Sequence, residues 1–322
     1  MNYIVLDLEW NQTPNGKGTE VPGLPFEIIE IGAVKLDENF KVISRFSQLI
    51  RPQVYKKLHR ITKSIIQMEI EDLQYSSTFQ QVGARFLKWC DKDYIFCTWG
   101  SMDLTELQRN YRYYGMETGW RCPFLYYDLQ KIFNLQYDNG DKNMKSLEAA
   151  VDQLGIAKKM KFHRASEDAE YTAKLLQRLG VSYLKGNESI DYYCNPKGRK
   201  EEFTKVYSDR AEYLSMEFPC KEKLMTDKKL RTTRCIVCGL KIRRTLRWFS
   251  ANSGTYFCVA NCPEHGKMIG KIRVKHTDSN GVFGIREMTR AGEGEEEEIY
   301  RKKEFIKSRR REKRHRTMEE DK

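Results

Sequence analysis

Three β-strand patterns near the N-terminus constrain the fold of this 322-residue chain more than any other feature. Residues 3–8, 27–36 and 42–50 are rich in isoleucine and valine and are separated by polar turns and loops. A fourth strand pattern, 94–99, follows two helical patterns. Helices alternate with strands from there onward. This order predicts an α/β fold in which helices flank a mixed sheet.

The distribution of charge divides the chain into a neutral part and a basic part. Residues 1–180 hold 24 Lys and Arg against 23 Asp and Glu, a net charge of +1, so the remainder carries +11 of the total +12. We predict one large domain at 1–180, a polar linker at 181–230, a small zinc-ribbon-like module at 231–276 and a charged tail, disordered or helical, at 277–322. The basic half is suited to holding a polyanion, and a solvated tail without a partner is the alternative.

The sequence shows no sign of export or of membrane insertion. No apolar stretch approaches the roughly 20 residues that cross a bilayer, and no basic segment precedes the first apolar run. The nine cysteines are scattered, which favours reduced thiols or metal ligands over a disulfide framework. We therefore expect a cytoplasmic protein with no membrane partner.

Five residues form a candidate site for divalent cations. Asp7 and Glu9 lie two positions apart at the end of the first strand, so both carboxylates project from one face. Asp103 opens a helix after the fourth strand, Asp168 lies on the inward face of a later helix, and His163 precedes that helix on a loop. Clustered carboxylates favour Mg²⁺ or Mn²⁺. Solvent-facing acids and an N-cap at Asp103 are the structural alternatives.

Three segments resemble the exonuclease motifs of the DEDDh superfamily, namely Val5–Glu9, Thr98–Leu107 and His163–Ala173. Phe26–Val34 and Leu125–Phe133 also resemble the branch that contains the enhanced-RNAi-type exoribonucleases and the KinA-pathway-inhibitor exonuclease. The resemblance covers about residues 1–180. It implies a ribonuclease H-like sheet and 3′–5′ hydrolysis of single-stranded nucleic acid with a free 3′ end, with RNA favoured over DNA.

The resemblance also implies a role for each site residue. Asp7 would bridge two Mg²⁺ or Mn²⁺ ions, Glu9 and Asp168 would complete the ion on the nucleophile side, and Asp103 would hold the second. His163 would accept the proton of the attacking water, and nucleoside 5′-monophosphates would be released. A catalytically idle nucleic-acid-binding regulator and a DNA-specific repair exonuclease are the alternative functions.

Two tryptophans are candidate substrate residues. Trp10 directly follows the Asp7–Glu9 motif, and Trp99 ends the fourth strand pattern. Aromatic faces stack on nucleic-acid bases, at roughly 1–3 kcal/mol per base. Ordinary core packing is the alternative for both.

Four cysteines in the basic half have the spacing of a structural zinc site. Cys235 and Cys238 are followed by Cys258 and Cys262, and we predict that these four thiolates bind one Zn²⁺. His265 could replace Cys262 as the fourth ligand, and free thiols are the other alternative.

Basic residues surround this cysteine module. Arginines and aromatic residues alternate between the two cysteine pairs, and Arg301–Arg316 holds ten Lys and Arg in sixteen positions. Such patterns are typical of contacts with the nucleic-acid backbone. A ribosome or another RNA–protein assembly is therefore a further expected partner, with a protein contact or a solvated charge run as alternatives.

Overall fold

The computed structural model describes residues 1–320 apart from 17, 67, 139, 141 and 142, and it describes 181 and 313–320 by their backbone alone. The chain forms two compact units, Met1–Tyr193 and Cys194–Lys322. No helix in this described part is long and apolar enough to cross a membrane.

The first unit alternates strands and helices along the chain. Its elements are β1 (Asn2–Gln12), β2 (Phe26–Leu36), β3 (Val42–Leu49), α1 (Arg60–Ile66), α2 (Ile70–Leu73), α3 (Phe79–Cys90), β4 (Tyr94–Thr98), α4 (Met102–Tyr113), β5 (Leu125–Asp128), α5 (Leu129–Tyr137), α6 (Leu147–Gln153), α7 (Ala165–Leu179), α8 (Val181–Leu184) and β6 (Ser189–Ile190).

The six strands of this unit form one mixed sheet in the order β3-β2-β1-β4-β5-β6. The pairs β1–β2, β2–β3 and β5–β6 are antiparallel, whereas β1–β4 and β4–β5 are parallel. Short connections join the antiparallel β2 and β3, and helices make the crossovers that parallel neighbours require. The predicted mixed sheet flanked by helices is confirmed.

Alternate residues of β1 pack into two different cores. Tyr3 and Val5 belong to the core that contains the buried residues of α5, α6 and α7. Ile4, Leu6 and Leu8 belong to the core that contains those of α3 and α4. Because side chains alternate across a strand, Asp7 and Glu9 must project on the face that α7 covers.

The segment Leu125–Phe133 changes from strand to helix along its length. It is a strand, β5, followed directly by the helix α5. Asp128 separates the two because its extended backbone ends the strand while its carboxylate caps the helix, accepting a hydrogen bond from the Lys131 amide at 3.1 Å.

The second unit is built around another six-stranded sheet. Its elements are β7 (Phe203–Val206), β8 (Arg210–Leu214), α9 (Lys221–Thr226), β9 (Arg243–Ser250), β10 (Thr255–Cys262), β11 (Gly266–His276), β12 (Val282–Arg290) and α10 (Glu295–Glu320). The strand order is β7-β8-β12-β11-β10-β9, and every pairing is antiparallel.

The structure differs from the predicted division of the basic half. The expected linker 181–230 contains β7, β8 and α9, and the expected tail 277–322 begins with β12, which lies inside the sheet. Residues 231–276 are therefore part of a larger unit. The reason is that β8 pairs with β12, which lies about 70 residues further along the chain, and local periodicity carries no signal of such a distant pairing.

The cysteines also differ from the expectation of reduced thiols or metal ligands throughout. Cys122 and Cys194 are each in a disulfide-bonded state, whereas the other seven cysteines are free. Disulfide formation depends on the separation and direction of two side chains in space, which sequence spacing does not show.

Candidate active site

The carboxylates of Asp7, Glu9 and Asp168 come together at the end of β1. Oxygen atoms of the three side chains all lie within 4.8 Å of one another. Asp7 and Glu9 reach this point because they are two residues apart on one strand, and Asp168 reaches it from the first turns of α7. The structure thus groups three of the four predicted carboxylates into one cluster.

A glycine allows α7 to approach the sheet closely enough for this cluster to form. Gly32 lies directly opposite Asp7 in the β1–β2 pair, so both face α7. A Cβ atom added to Gly32 would lie 2.0 Å from the carbonyl carbon of Ala165, the first residue of α7. The N-terminus of α7 therefore occupies the space that a side chain at position 32 would fill.

Asp103 joins the site from the neighbouring strand connection. β1 pairs with β4 only from Asn2 to Val5. Beyond Val5, the β1 amides that point towards β4 have no partner in that strand. The Asp103 carboxylate, buried in the first turn of α4, accepts a hydrogen bond from the Leu8 amide at 3.1 Å. The N-cap of α4 is Ser101, so capping does not account for Asp103.

Burial and mutual repulsion disfavour the charged forms of these acids. Burial, together with the neighbouring charges of Asp168 and Glu30, raises the pKa of Glu9 to about 8. Burial raises the pKa of Asp103 to about 7 although the Leu8 amide opposes it, and the pKa of Asp168 rises to about 6. The pKa of Asp7 lies well above its ordinary value because the residue is buried next to Asp103. Such a cluster is stabilised by bound cations.

One carboxylate oxygen of the cluster has no hydrogen-bond partner within the described part of the protein. Asp168 is only 8% exposed, and its Oδ2 accepts a hydrogen bond from the His163 amide at 3.1 Å. Its Oδ1 is buried with no hydrogen-bond partner. A buried, unpaired carboxylate oxygen is costly, so this donor set fits a hard divalent cation.

His163 lies on the loop before α7 and is exposed to solvent. Its φ angle of +68° is in the left-handed region, which residues other than glycine rarely adopt. The loop is held on both sides of the residue: Phe162 stacks on the Tyr171 ring at 4.6 Å, and the His163 amide bonds Asp168. The backbone of His163 is thus fixed beside Asp168 of the carboxylate cluster.

Sequence reasoning missed the ion pair between Arg164 and Glu30. The guanidinium donates two hydrogen bonds to the Glu30 carboxylate, at 3.0 and 3.2 Å. Glu30 is buried on β2 directly opposite Glu9, so the pair links the His163 loop to the strand beside the site. The signal was present, because Glu30 lies in the motif segment Phe26–Val34, but no role was assigned to it.

The two predicted substrate tryptophans both pack into cores. Trp10 lies on the opposite face of β1 from Glu9, with its ring 5.7 Å from Phe26. The Trp99 ring meets Phe133 edge-on at 5.7 Å, and its indole N–H donates to the Lys145 carbonyl. Packing accounts for both side chains, and a stacking role for either stays a prediction.

The cysteine module differs from the predicted four-cysteine set. The donors that come together are Cys235, Cys238, Cys262 and His265, all within 4.8 Å of one another. Cys258 is not among them. It lies four residues before Cys262 on β10, about 13 Å away along an extended strand, and burial raises the pKa of its thiol to about 12.

Comparison with known proteins agrees with this geometry. The family RNase_T, described as Exonuclease, matches residues 4–176, more than half of the chain. The probable 3′–5′ exonuclease KapD of Bacillus subtilis is 28% identical over 180 residues, which cover 55% of this chain and 83% of KapD.

Two solved structures are similar to this chain at low sequence identity. E. coli exonuclease I in complex with a dT13 oligonucleotide has a TM-score of 0.50 and 14% identity, covering 80% of this chain and 55% of that one. The nuclease domain of 3′hExo, a DEDDh family member, bound to rAMP, has a TM-score of 0.49 and 17% identity, covering 59% and 96%. With the family match and the carboxylate cluster together, the chain belongs to the exonuclease family and is a 3′–5′ exonuclease of the DEDDh type.

Proposed function

We propose that this exonuclease hydrolyses single-stranded nucleic acid from a free 3′ end, prefers RNA to DNA, and releases nucleoside 5′-monophosphates. The observation that carries the proposal is the carboxylate cluster of Asp7, Glu9 and Asp168, with its buried and unpaired Asp168 Oδ1. The RNA preference rests on the resemblance of Phe26–Val34 and Leu125–Phe133 to the enhanced-RNAi-type branch.

The cluster is suited to two Mg²⁺ or Mn²⁺ ions. Asp7, Glu9 and Asp168 would hold one of them, and Asp7 with Asp103 would hold the other. When bound, two such ions activate a water for attack on the terminal phosphodiester and stabilise the leaving 3′-oxygen. All four protein ligands are carboxylates, whose hard oxygens favour these ions over zinc.

The protein itself supplies proton transfer and positioning. The exposed imidazole of His163 accepts the proton of the attacking water as a general base. The amide of the same residue fixes the Asp168 carboxylate by its hydrogen bond to Oδ2. Arg164, paired with Glu30, holds the loop against β2 while this happens.

A direct assay compares matched RNA and DNA strands, single and double, each labelled at the 5′ or the 3′ end. We expect a 3′-label to leave as a mononucleotide in the first turnover, faster from single-stranded RNA, and only with Mg²⁺ or Mn²⁺ present. Glu9→Gln should abolish the reaction without changing the shape of the residue. Glu117→Gln, which makes the same change at an exposed position, is the control.

The two alternative functions give different outcomes in this assay. No mononucleotide from any strand, with either ion, would favour the idle nucleic-acid-binding regulator. Faster release from DNA than from RNA would favour the DNA-specific exonuclease. Release of oligonucleotides in the first turnover would contradict an exonuclease acting at the 3′ end.

A cationic groove in the second unit is suited to holding the rest of the strand. The cavity of about 370 Å³ lies between the end of β9 and α10, and none of the described residues that line it is acidic. Its lining residues are Phe249, Ser250, Lys303, Ile306, Lys307, Arg310 and Arg311. Cations beside an aromatic ring match a phosphate backbone with stacked bases. The basic run Arg301–Arg316 thus contributes one wall, while the side chains of 313–316 lie outside the described residues.

The groove is a built feature because α10 is anchored to the sheet. Ile299, only 6% exposed, packs with Leu246, Val259 and Ile269. Lys267 pairs with Glu296 at 2.8 Å in the first turn of the helix. Further contact with a ribosome or another RNA–protein assembly stays a prediction.

Charge reversal tests the groove separately from the chemistry. In the double variant Lys307→Glu, Arg310→Glu, we expect weaker binding of a long RNA in the absence of divalent ions. The slope of the logarithm of the binding constant against the logarithm of salt concentration should become shallower by roughly 0.7 per lost phosphate contact. Hydrolysis of a trinucleotide at saturating concentration should be unchanged, because the double variant leaves the carboxylate cluster intact. The control Lys228→Glu, Lys275→Glu reverses two exposed cations outside the groove. Equal losses in both double variants would refute a specific groove.

A further inference from the structure

Four potential metal ligands converge in the second unit, far in sequence from the catalytic carboxylates. Cys235 and Cys238 come from a turn before β9, whereas Cys262 is the last residue of β10 and His265 lies in the turn between β10 and β11. One donor atom of each lies within 4.8 Å of the other three. Two separate turns thus present a complete set of soft and borderline ligands to one point.

The spacing between the donors is that of a tetrahedral zinc ion. With Zn–S of about 2.3 Å and Zn–N of about 2.0–2.1 Å, tetrahedral geometry requires S···S of about 3.8 Å and S···N of about 3.5 Å. The Cys238 and Cys262 sulfurs are 3.8 Å apart, and the Cys262 sulfur is 3.5 Å from Nδ1 of His265. A disulfide would bring two sulfurs to about 2.05 Å, so these thiols are placed for a shared ion instead.

The first turn holds its sulfurs through backbone hydrogen bonds. Cys235 donates its amide to the Leu240 carbonyl at 2.9 Å, and Gly239, with φ +71°, donates to the Cys235 carbonyl at 3.0 Å. The amides of Val237 and Cys238 point at the Cys235 sulfur, and the Leu240 amide points at the Cys238 sulfur. Amides directed at sulfur stabilise thiolate, the form that binds metal.

The second turn is arranged in the same way. Cys262 pairs with Gly266 across the β10–β11 hairpin, which places His265 at the turn beside Cys262. The amides of Glu264 and His265 point at the Cys262 sulfur. Both turns therefore direct backbone donors at the sulfurs, as a ligand shell requires.

We propose that Cys235, Cys238, Cys262 and His265 bind one structural Zn²⁺, and that Cys258 takes no part. Four protein ligands leave no open position for a water, so the ion is structural rather than catalytic. Its effect is to tie the Cys235–Leu240 turn to the β10–β11 hairpin above the small core of Ile242, Ala260, Met268 and Met288.

Cys258 is excluded by its surroundings as well as by its distance. It is fully buried, and it sits directly across from Gly270 on β11. A Cβ atom added to Gly270 would lie 2.5 Å from the Cys258 sulfur and 2.7 Å from the Trp248 ring. The Cys258 thiol therefore packs in the space that is free because Gly270 has no side chain.

The zinc content of purified full-length protein tests the assignment. After purification under reducing conditions and addition of excess Zn²⁺ followed by dialysis, we expect one equivalent in the unaltered chain and in Cys258→Ala. Cys262→Ala and His265→Ala should lose it, and His265→Cys should recover it, which separates loss of a ligand from loss of folding. Zinc lost from Cys258→Ala but kept by His265→Ala would overturn the assignment in favour of four cysteines. No zinc in the unaltered chain would overturn the site itself.

Cobalt distinguishes this ion from those of the catalytic site. Co²⁺ bound to thiolates gives an intense sulfur-to-metal charge-transfer band, which carboxylate ligands cannot produce. The band should persist in Asp7→Asn and disappear in Cys235→Ser. A band unaffected by Cys235→Ser would contradict the proposal, and the result does not depend on whether the enzyme cleaves RNA.

Discussion

Gly32→Ala tests whether the approach of α7 to β2 sets the geometry of the catalytic carboxylates. The new Cβ atom would lie 2.0 Å from the Ala165 carbonyl carbon, 2.1 Å from its oxygen and 2.2 Å from the Ser166 nitrogen. All three are backbone atoms, so no side-chain rotation can relieve the contact. The N-terminal turn of α7 has to move away from the sheet.

The size of this movement follows from the contact distance. Ordinary van der Waals contact begins at 3.4 Å, so the helix end must retreat by about 1.4 Å. Asp168 lies one turn from Ala165 and moves with it. A displacement of about 1 Å in a catalytic group costs on the order of 10²-fold in rate, and overpacking costs about 1–3 kcal/mol of stability.

The assay measures kcat on a short single-stranded RNA across a Mn²⁺ titration, well below the melting temperature of each variant. We expect Gly32→Ala to lose roughly 10²-fold in kcat and to need more Mn²⁺ for half-maximal rate. Gly83→Ala is the matched control, because its Cβ would lie 2.9 Å from the Tyr111 ring, away from the carboxylates. It should lower the melting temperature and leave kcat unchanged. A folded Gly32→Ala enzyme with near-normal kcat would refute the reasoning.

Three further predictions concern the groups around the cluster. In the metal-free protein, the pKa of Glu9 is about 8 in the folded state, against 4.5 for the unperturbed side chain of the unfolded state. Because the folded state then holds the proton more tightly, the free energy of unfolding falls as pH rises between these two values. In EDTA at pH 8, Glu9→Gln should therefore have a higher melting temperature than the unaltered protein, whereas the two should have the same melting temperature at pH 4. A lower melting temperature of Glu9→Gln at pH 8 would contradict this. His163→Ala should lose about 10²–10⁴-fold in kcat and recover rate as hydroxide increases; an unchanged pH–rate profile would exclude the base role. Arg164→Lys breaks the two-bond pairing with Glu30 and should lower kcat about tenfold, whereas Arg178→Lys on the exposed end of α7 should not, as a comparison of initial rates would show.

The sequence predicted the first sheet because each of its long strands carries its own signal. β1, β2 and β3 alternate or run apolar over eight to eleven residues, and their order along the chain is enough to imply a mixed sheet. The grouping of the Asp7 and Glu9 carboxylates was predictable for the same reason, since the two residues share a strand face. What stayed hidden was Gly32, whose role appears only when α7 is packed on β2.

The second unit was harder to predict because its pairings are distant. Four- and five-residue strands such as β7 and β8 carry too little periodicity to be recognised, and they gain their place only by pairing with β12. The choice of His265 over Cys258 has a similar origin. Both residues lie near Cys262 in sequence, but only the turn geometry brings His265 to the other ligands.

The pairing of β8 with β12 affects how the second unit folds during synthesis. The first unit has all of its strands once residue 193 has left the ribosome, so the nuclease can fold during synthesis. β8 has to wait for β12, which at 5–20 residues per second takes about 4–14 s. Throughout this interval one edge of β8 is unpaired, and such edges are sites of aggregation. Substitutions that weaken β12 should therefore reduce the yield of soluble protein more than they reduce the activity of the molecules that fold.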